Sequence, residues 1–206
     1  MGVVIERVRV LHLGLSPYES TVKAMRDFNA KRNGETADEF WLLEHPPVYT
    51  LGLAAGAGFG PRTDNGIPVV QVERGGEITY HGPGQVVLYT LVDLARRGIK
   101  VKQFVAMLEQ SVIDLLGSRA ERKPGAPGIY VAGAKVAALG IRVSKGRAFH
   151  GLALNVDMDL APFEAIDPCG YPGLRVTQTR ALGFDFSVAT AGARLAGFLA
   201  ARLQSA

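Results

Sequence analysis

From Arg7 to Leu13, Val8, Val10 and His12 alternate with Arg9 and Leu11, a period of two that predicts a strand. The period then changes. Tyr18, Val22, Met25 and Phe28 recur at helical spacing. Ser16 as N-cap, Pro17 at the first helical position and Glu19 in a capping box predict where this helix begins, and Gly34 predicts its end. Short apolar runs at Phe40–Leu43 and Val48–Leu51, split by Pro46-Pro47, read as strands, and a glycine-rich loop follows from Gly52 to Gly66. Val69–Val72 and Val86–Val92 are further strands, with the glycine-rich segment Glu73–Gln85 between them. Phe104, Val105, Leu108, Val112, Leu115 and Leu116 stripe a second helix, Val101–Leu116, closed by Gly117. Ser118–Gly128 reads as a linker, and Pro162–Gly173 as an irregular stretch. Between them Lys135–Val143 and Ala148–Val156 flank Lys145-Gly146 as a hairpin. A last helix spans Val188–Leu203, with Val188, Leu195, Phe198 and Leu199 facing inward. Strands outnumber helices and do not follow strict βαβ order. The expected class is therefore α/β of the α+β type: a mixed, largely antiparallel sheet flanked by helices. No linker or repeat divides the chain, so residues 1–206 are expected to form one domain.

Composition narrows the chemistry. Hydrophobic residues are 48% of the 206 and charged residues 20%, which fits a packed core and not a disordered chain. Cys169 is the only cysteine, so neither an intramolecular disulfide nor a cysteine-rich zinc site is available. The N-terminus lacks an apolar signal segment and no long apolar run escapes interruption, so a cytoplasmic protein without a membrane span is expected. The net charge of +4 favours acidic partners. The basic residues are scattered and no nucleic-acid-binding motif accompanies them, so nucleic acid is not an expected partner.

There is no P-loop, no HExxH pattern and no Gly-x-Ser-x-Gly elbow, so nucleotide, metal and serine-hydrolase chemistry find no motif here. Three features remain. In Arg74–Gln85 glycines separate Arg74, Thr79, Tyr80 and His81, an arrangement that brings backbone N–H groups and polar heads close to a ligand. Cys169 sits in Asp167-Pro-Cys-Gly-Tyr-Pro-Gly173, a loop rigid enough to mount a nucleophile, although a lone cysteine also serves as a small buried hydrophobe. Lys135 shares a strand face with Ala137, Leu139, Ile141 and Val143. It is there either as a snorkelling edge residue or as a buried charge, which needs a partner; a thiolate would serve as one.

Taken together, Arg74-Gly-Gly-x-x-Thr-Tyr-His-Gly-Pro-Gly-Gln-x-x-x-Tyr89, Glu44–Gly52, Gly133–Arg142, His150–Asn155 and Pro168-Cys-Gly170 resemble the signature of the lipoyl(octanoyl) transferases, over about Leu13 to Leu182. The resemblance implies a fold like the biotin and lipoate protein ligase catalytic domains. It implies a catalytic pair, Cys169 and Lys135, and no cofactor or metal. Substrate contacts are implied from Arg74, Gly75, Gly76, Glu77, Ile78, Thr79, Tyr80 and His81, from Ala138, Leu139 and Gly140, and from Gly151, Leu152 and Ala153. The implied donor is octanoyl-acyl carrier protein. The implied acceptors are lipoyl domains of 2-oxoacid dehydrogenases and the glycine cleavage H protein. Two positions depart from the family pattern: Ala138 stands where many relatives have Ser, and Gly52-Leu-Ala-Ala-Gly56 lacks a basic residue.

Overall fold

The computed structural model describes residues 2–5, 8–56, 60–167 and 173–205. An eight-stranded sheet organises them, in the order β1-β2-β3-β7-β11-β10-β9-β8. The strands are β1 Gly2–Ile5, β2 Val8–Leu15, β3 Asp38–Glu44, β7 Gln85–Asp93, β8 Ala120–Lys123, β9 Ala126–Val131, β10 Ala134–Ser144 and β11 Arg147–Asn155. Every neighbouring pair is antiparallel except β2 with β3. A smaller sheet, β5-β4-β6, joins β4 Val48–Leu51 to β5 Val69–Gln71 in parallel and to β6 Ile78–His81 antiparallel.

The helices cover both faces of the large sheet. On one face α3 (Val101–Leu116) and α4 (Val188–Gln204) bury Phe104, Leu108, Val112, Leu195 and Leu199 against Leu88, Leu152 and Leu154. On the other, α1 (Tyr18–Lys31) packs Tyr18, Val22 and Met25 against Trp41, Val87, Tyr89 and Ala153. Each fully buried large aliphatic side chain contributes about 1.5–3 kcal/mol. No helix among the described residues is long and apolar enough to cross a membrane.

Several expectations need correction. Helix α1 starts at Tyr18 with Pro17 in the cap position and no side-chain cap; Ser16 Oγ donates to Leu13 O instead. It ends at Lys31, before Gly34, because Arg32 turns inward to an ion pair with Asp38 in which neither side chain is exposed. The linker Ser118–Gly128 and the segment Glu73–Gln85 hold strands: β8 and the start of β9 in the first, β6 in the second. The short α2, Leu94–Arg97, was not foreseen either. The hairpin turn at Lys145-Gly146 is as expected, both residues having positive φ (50° and 77°).

Candidate active site

One pocket opens between the large sheet and the small one. β7, β10 and β11 line one side, and the loop from Arg74 into β6 lines the other. Arg74 anchors that loop. It is 8% exposed, and its Nη2 donates to Thr50 O (2.7 Å), Thr50 Oγ1 (2.8 Å) and Glu77 O (2.9 Å). The guanidinium therefore stitches the glycine loop onto β4. Backbone bonds from Gly52 to Glu77 O (2.9 Å) and from Gly75 to Ile141 O (3.0 Å) complete the seam. Glycine is required at position 52, where a Cβ would stand 2.2 Å from Gly76 O.

All the Ala138–Gly140 and Gly151–Ala153 candidates line this pocket, as do Lys135 and the Arg74–His81 segment except Gly75 and Tyr80. Gly75 faces a neighbouring groove with Ile141, and the Tyr80 ring packs on Tyr49 and Phe163. Ala138 lies opposite Ala153, and Gly140 opposite Gly151, so small residues meet in pairs across the hairpin.

Lys135 is 4% exposed, and the edge reading of it is corrected. β9 and β8 continue the sheet beyond β10, so its strand is interior. A register shift between Lys135 and Ala137 also interrupts the alternation that would have put the two side chains on one face. Lys135 Nζ donates to Pro127 O (2.9 Å), and the Tyr130 ring centre lies 5.6 Å away.

Cys169 lies outside the described residues, but the chain on either side of it is described. Arg62 binds the incoming side, through its backbone N–H to Ala165 O (2.7 Å) and its guanidinium to Asp167 (2.6 Å). The outgoing side returns directly to Lys135: Val176 forms a parallel bridge with it, Lys135 N–H donates to Arg175 O (2.8 Å), and Thr177 N–H donates to Lys135 O (2.9 Å).

A hydrogen-bonded chain runs from this point to His81. Asn155 Nδ2 donates to Thr177 O (3.0 Å), and Gln85 Nε2 donates to Asn155 Oδ1 (2.9 Å). Because Gln85 Nε2 also donates to Tyr80 O, its Oε1 is the acceptor facing His81 Nδ1 at 2.7 Å. His81 thus carries its proton on Nδ1 and keeps the Nε2 lone pair. Burial pushes its pKa down to about 3, helped by His45, His150 and Arg74 and opposed by the bond from Gln85. His45, pushed by burial to about 4, donates from Nδ1 to Ser16 O and accepts from the Tyr89 hydroxyl, both at 2.7 Å. The rings beside the pocket are neutral imidazoles at physiological pH.

Tyr18, Gln85, Tyr89, His150 and Asn155 also line the pocket and were not singled out by the sequence reading. Tyr18 was hidden in a helical apolar stripe. The other four had a signal, since each stands inside or at the end of a quoted motif.

Residues 17–199 match the family of the lipoyl protein ligase A/B catalytic domain. The chain belongs to that family, and within it to the octanoyltransferases, which are acyltransferases. It is 60% identical over 188 residues to the octanoyltransferase of Thiobacillus denitrificans, covering 87% of this chain and 83% of that one. With the octanoyltransferase of Dechloromonas aromatica it shares 54% over 197 residues, 94% of this chain and 96% of that one. The fold is that of a lipoate-protein ligase A structure bound with ATP (TM-score 0.74, 16% identity, 95% of this chain and 85% of that one). A biotin protein ligase from Aquifex aeolicus in complex with biotin and ATP also superimposes (TM-score 0.56, 10% identity, 98% and 72%).

Proposed function

We propose that this protein, acting in the cytoplasm, takes an octanoyl group from octanoyl-acyl carrier protein and delivers it to a lysine ε-amine on a lipoyl domain. The acceptors are lipoyl domains of 2-oxoacid dehydrogenases and the glycine cleavage H protein. The observation that carries this reading is the position of Lys135: a buried lysine on the wall of a pocket whose β10 and β11 lining includes Ala138, Leu139, Gly140 and Ala153, bridged at Val176 to the segment that follows Cys169.

The Cys169 thiolate attacks the thioester carbonyl, the carrier thiolate leaves and takes up a proton from the Lys135 ammonium, and an octanoyl thioester forms on Cys169. The acceptor amine then attacks that thioester. It loses a proton, the Cys169 sulfur leaves, and an amide is made. Lys135 favours the thiolate as an ammonium; as a free amine it accepts the proton of the attacking nucleophile. Both steps start from a thioester, so no nucleotide is consumed. The glycine loop and Arg74 hold the wall against which the acyl chain lies, and His81 offers a neutral lone pair beside it.

The test is incubation with octanoyl carrier and a lipoyl domain in the absence of ATP. Transfer is expected, with an octanoyl adduct on the Cys169 peptide by intact-protein and peptide mass spectrometry. Cys169→Ala should abolish both. Lys135→Met should raise the pH at which Cys169 is alkylated from a value below the usual ~8.5. Strict ATP dependence, or near-normal turnover by Cys169→Ala, overturns the proposal.

A further inference from the structure

His150 stands in the pocket wall in a conformation that stability alone does not favour. It lies within β11, yet its φ is +62°, in the left-handed region that β-strand residues avoid. Normal alternation along β11 would give it the face of Ala148 and Leu152, both buried under α3 and α4. Its ring instead stacks on Phe149 (5.1 Å, 26°) and meets Tyr89 edge-on (5.8 Å, 79°), and both of these belong to the opposite core. The backbone twist thus turns an imidazole into the pocket. That imidazole is 1% exposed, and neither of its ring nitrogens has a hydrogen-bond partner among the described residues. A strained residue with orphaned buried polar atoms marks a site kept for its use.

The position of His150 indicates what that use is. Across the hairpin, pocket-lining residues run from Lys135 through Ala138 and Gly140 on β10, and from Asn155 through Ala153 and Gly151 on β11. His150 is opposite Ile141, where the lining ends, about five to six residues or roughly 16–20 Å along the strands from Lys135 at ~3.3 Å per residue. Lys135 and His150 therefore bracket the slot at its two ends.

We infer that His150 forms the polar inner end of the acyl slot and sets the length of the chain it accepts. The inference rests on the octanoyl-transfer reading above. An ω-methyl that stops short of the imidazole is buried among Ala153, Leu152 and Val87. A longer chain must press apolar carbon onto buried polar atoms, and its added methylenes gain nothing.

His150→Gly is the informative substitution, because glycine adopts the positive φ without strain and removes the ring. The kcat/KM values for octanoyl, decanoyl and dodecanoyl carriers should be measured for wild type and variant, with thermal unfolding alongside. Two methylenes newly accommodated at about fourfold each predict a roughly fifteen-fold rise in the decanoyl-to-octanoyl ratio. The rise should fall mainly in KM. His150→Asn, which tolerates the same φ and keeps a shorter polar end, should give a smaller rise in the same direction, and it serves if the glycine variant does not fold. If wild type transfers octanoyl and either folded variant keeps the wild-type length profile, the inference is overturned while the functional reading stands. If wild type transfers no acyl chain of any length, the functional reading falls and this inference falls with it.

Discussion

Gly128 and Lys135 are in direct contact: a Cβ at Gly128 would lie 2.5 Å from Lys135 Cε and 3.0 Å from its Nζ. The φ of Gly128 is +139°, which no side chain adopts easily, so the β9 backbone makes room for the buried lysine twice over. Gly128→Ala should therefore displace the Lys135 side chain; the same Cβ would lie 2.7 Å from Ala137 O, so thermal unfolding is measured beside the kinetics. Misplacement of a catalytic group by about 1 Å costs on the order of a hundredfold in rate, and that loss in kcat/KM is expected. Lys135→Ala in the Gly128→Ala background should add little further loss. If Gly128→Ala keeps wild-type turnover, the position of Lys135 does not set the rate.

This contact also shows what could be read from the sequence. The β10–β11 hairpin was legible because alternation and a Lys-Gly turn are local signals, and α3 and α4 because their stripes are long. β8 and β9 were not, since Ala120–Lys123 is mostly charged and Ala126–Val131 opens with Pro and Gly inside a run that reads as a linker. Without those strands the edge reading of Lys135 stayed open beside the buried one. The pocket wall was legible as motif, segment by segment. The strain at His150 was not, because a positive φ in a non-glycine strand residue is imposed by tertiary contacts and leaves no trace in periodicity. Tyr18 looked like an ordinary core position, and only its place across from His81 (5.8 Å, nearly parallel rings) gives it a pocket role.

The neutral histidines tie stability to pH. Burial lowers His45 to about 4, and His81 and His150 to about 3, against about 6.5 for an unfolded histidine. Between these values the unfolded chain binds more protons than the folded one, so stability falls as pH falls. The loss begins near pH 6.5 and continues down to the folded values. At pH 5 each ring costs on the order of 2 kcal/mol relative to pH 7.5. Urea unfolding at the two values should show the fall, and His45→Gln should make it shallower. A flat stability profile from pH 7.5 to 5 would show that these rings are not held neutral by the fold.

Attraction of an acidic carrier protein should depend on salt, and the hairpin turn is the place to test it. Arg142, Lys145 and Arg147 form a basic group in sequence, but Arg147 is half-buried, pairing with Asp93 (3.5 Å) and donating to Asn29 O (3.1 Å). Arg142 and Lys145 are the exposed pair. Arg142→Glu with Lys145→Glu should raise KM for the carrier several-fold at low ionic strength. The difference should shrink as the Debye length falls toward ~3 Å at 1 M salt. Octanoyl-pantetheine, which lacks the acidic protein, should be used equally well by both forms. An unchanged salt dependence with the carrier places the docking surface elsewhere.

Ala153 faces Ala138 across the hairpin and is 5% exposed, packed against Val87 and Tyr89 under α1. Both alanines line the pocket midway between Lys135 and His150, where a side chain any larger would occupy the path of an acyl chain. Ala153→Leu adds three carbons at this point. The expected result is a shortened slot: hexanoyl or butyryl carrier should overtake octanoyl carrier in kcat/KM, opposite in direction to the effect of opening the inner end at His150. Each methylene excluded from the slot costs about 0.8 kcal/mol, so octanoyl should lose about fourfold for every carbon that no longer fits. Overpacking a filled core also destabilises by about 1–3 kcal/mol, so thermal unfolding has to be measured beside the kinetics. A variant that unfolds cooperatively near the wild-type temperature and still prefers octanoyl would show that the tail does not pass between Ala138 and Ala153. The chain would then have to leave Lys135 by the neighbouring groove beside Gly75, Ile141 and Val105, which shares Leu139 and Gly140 with the pocket.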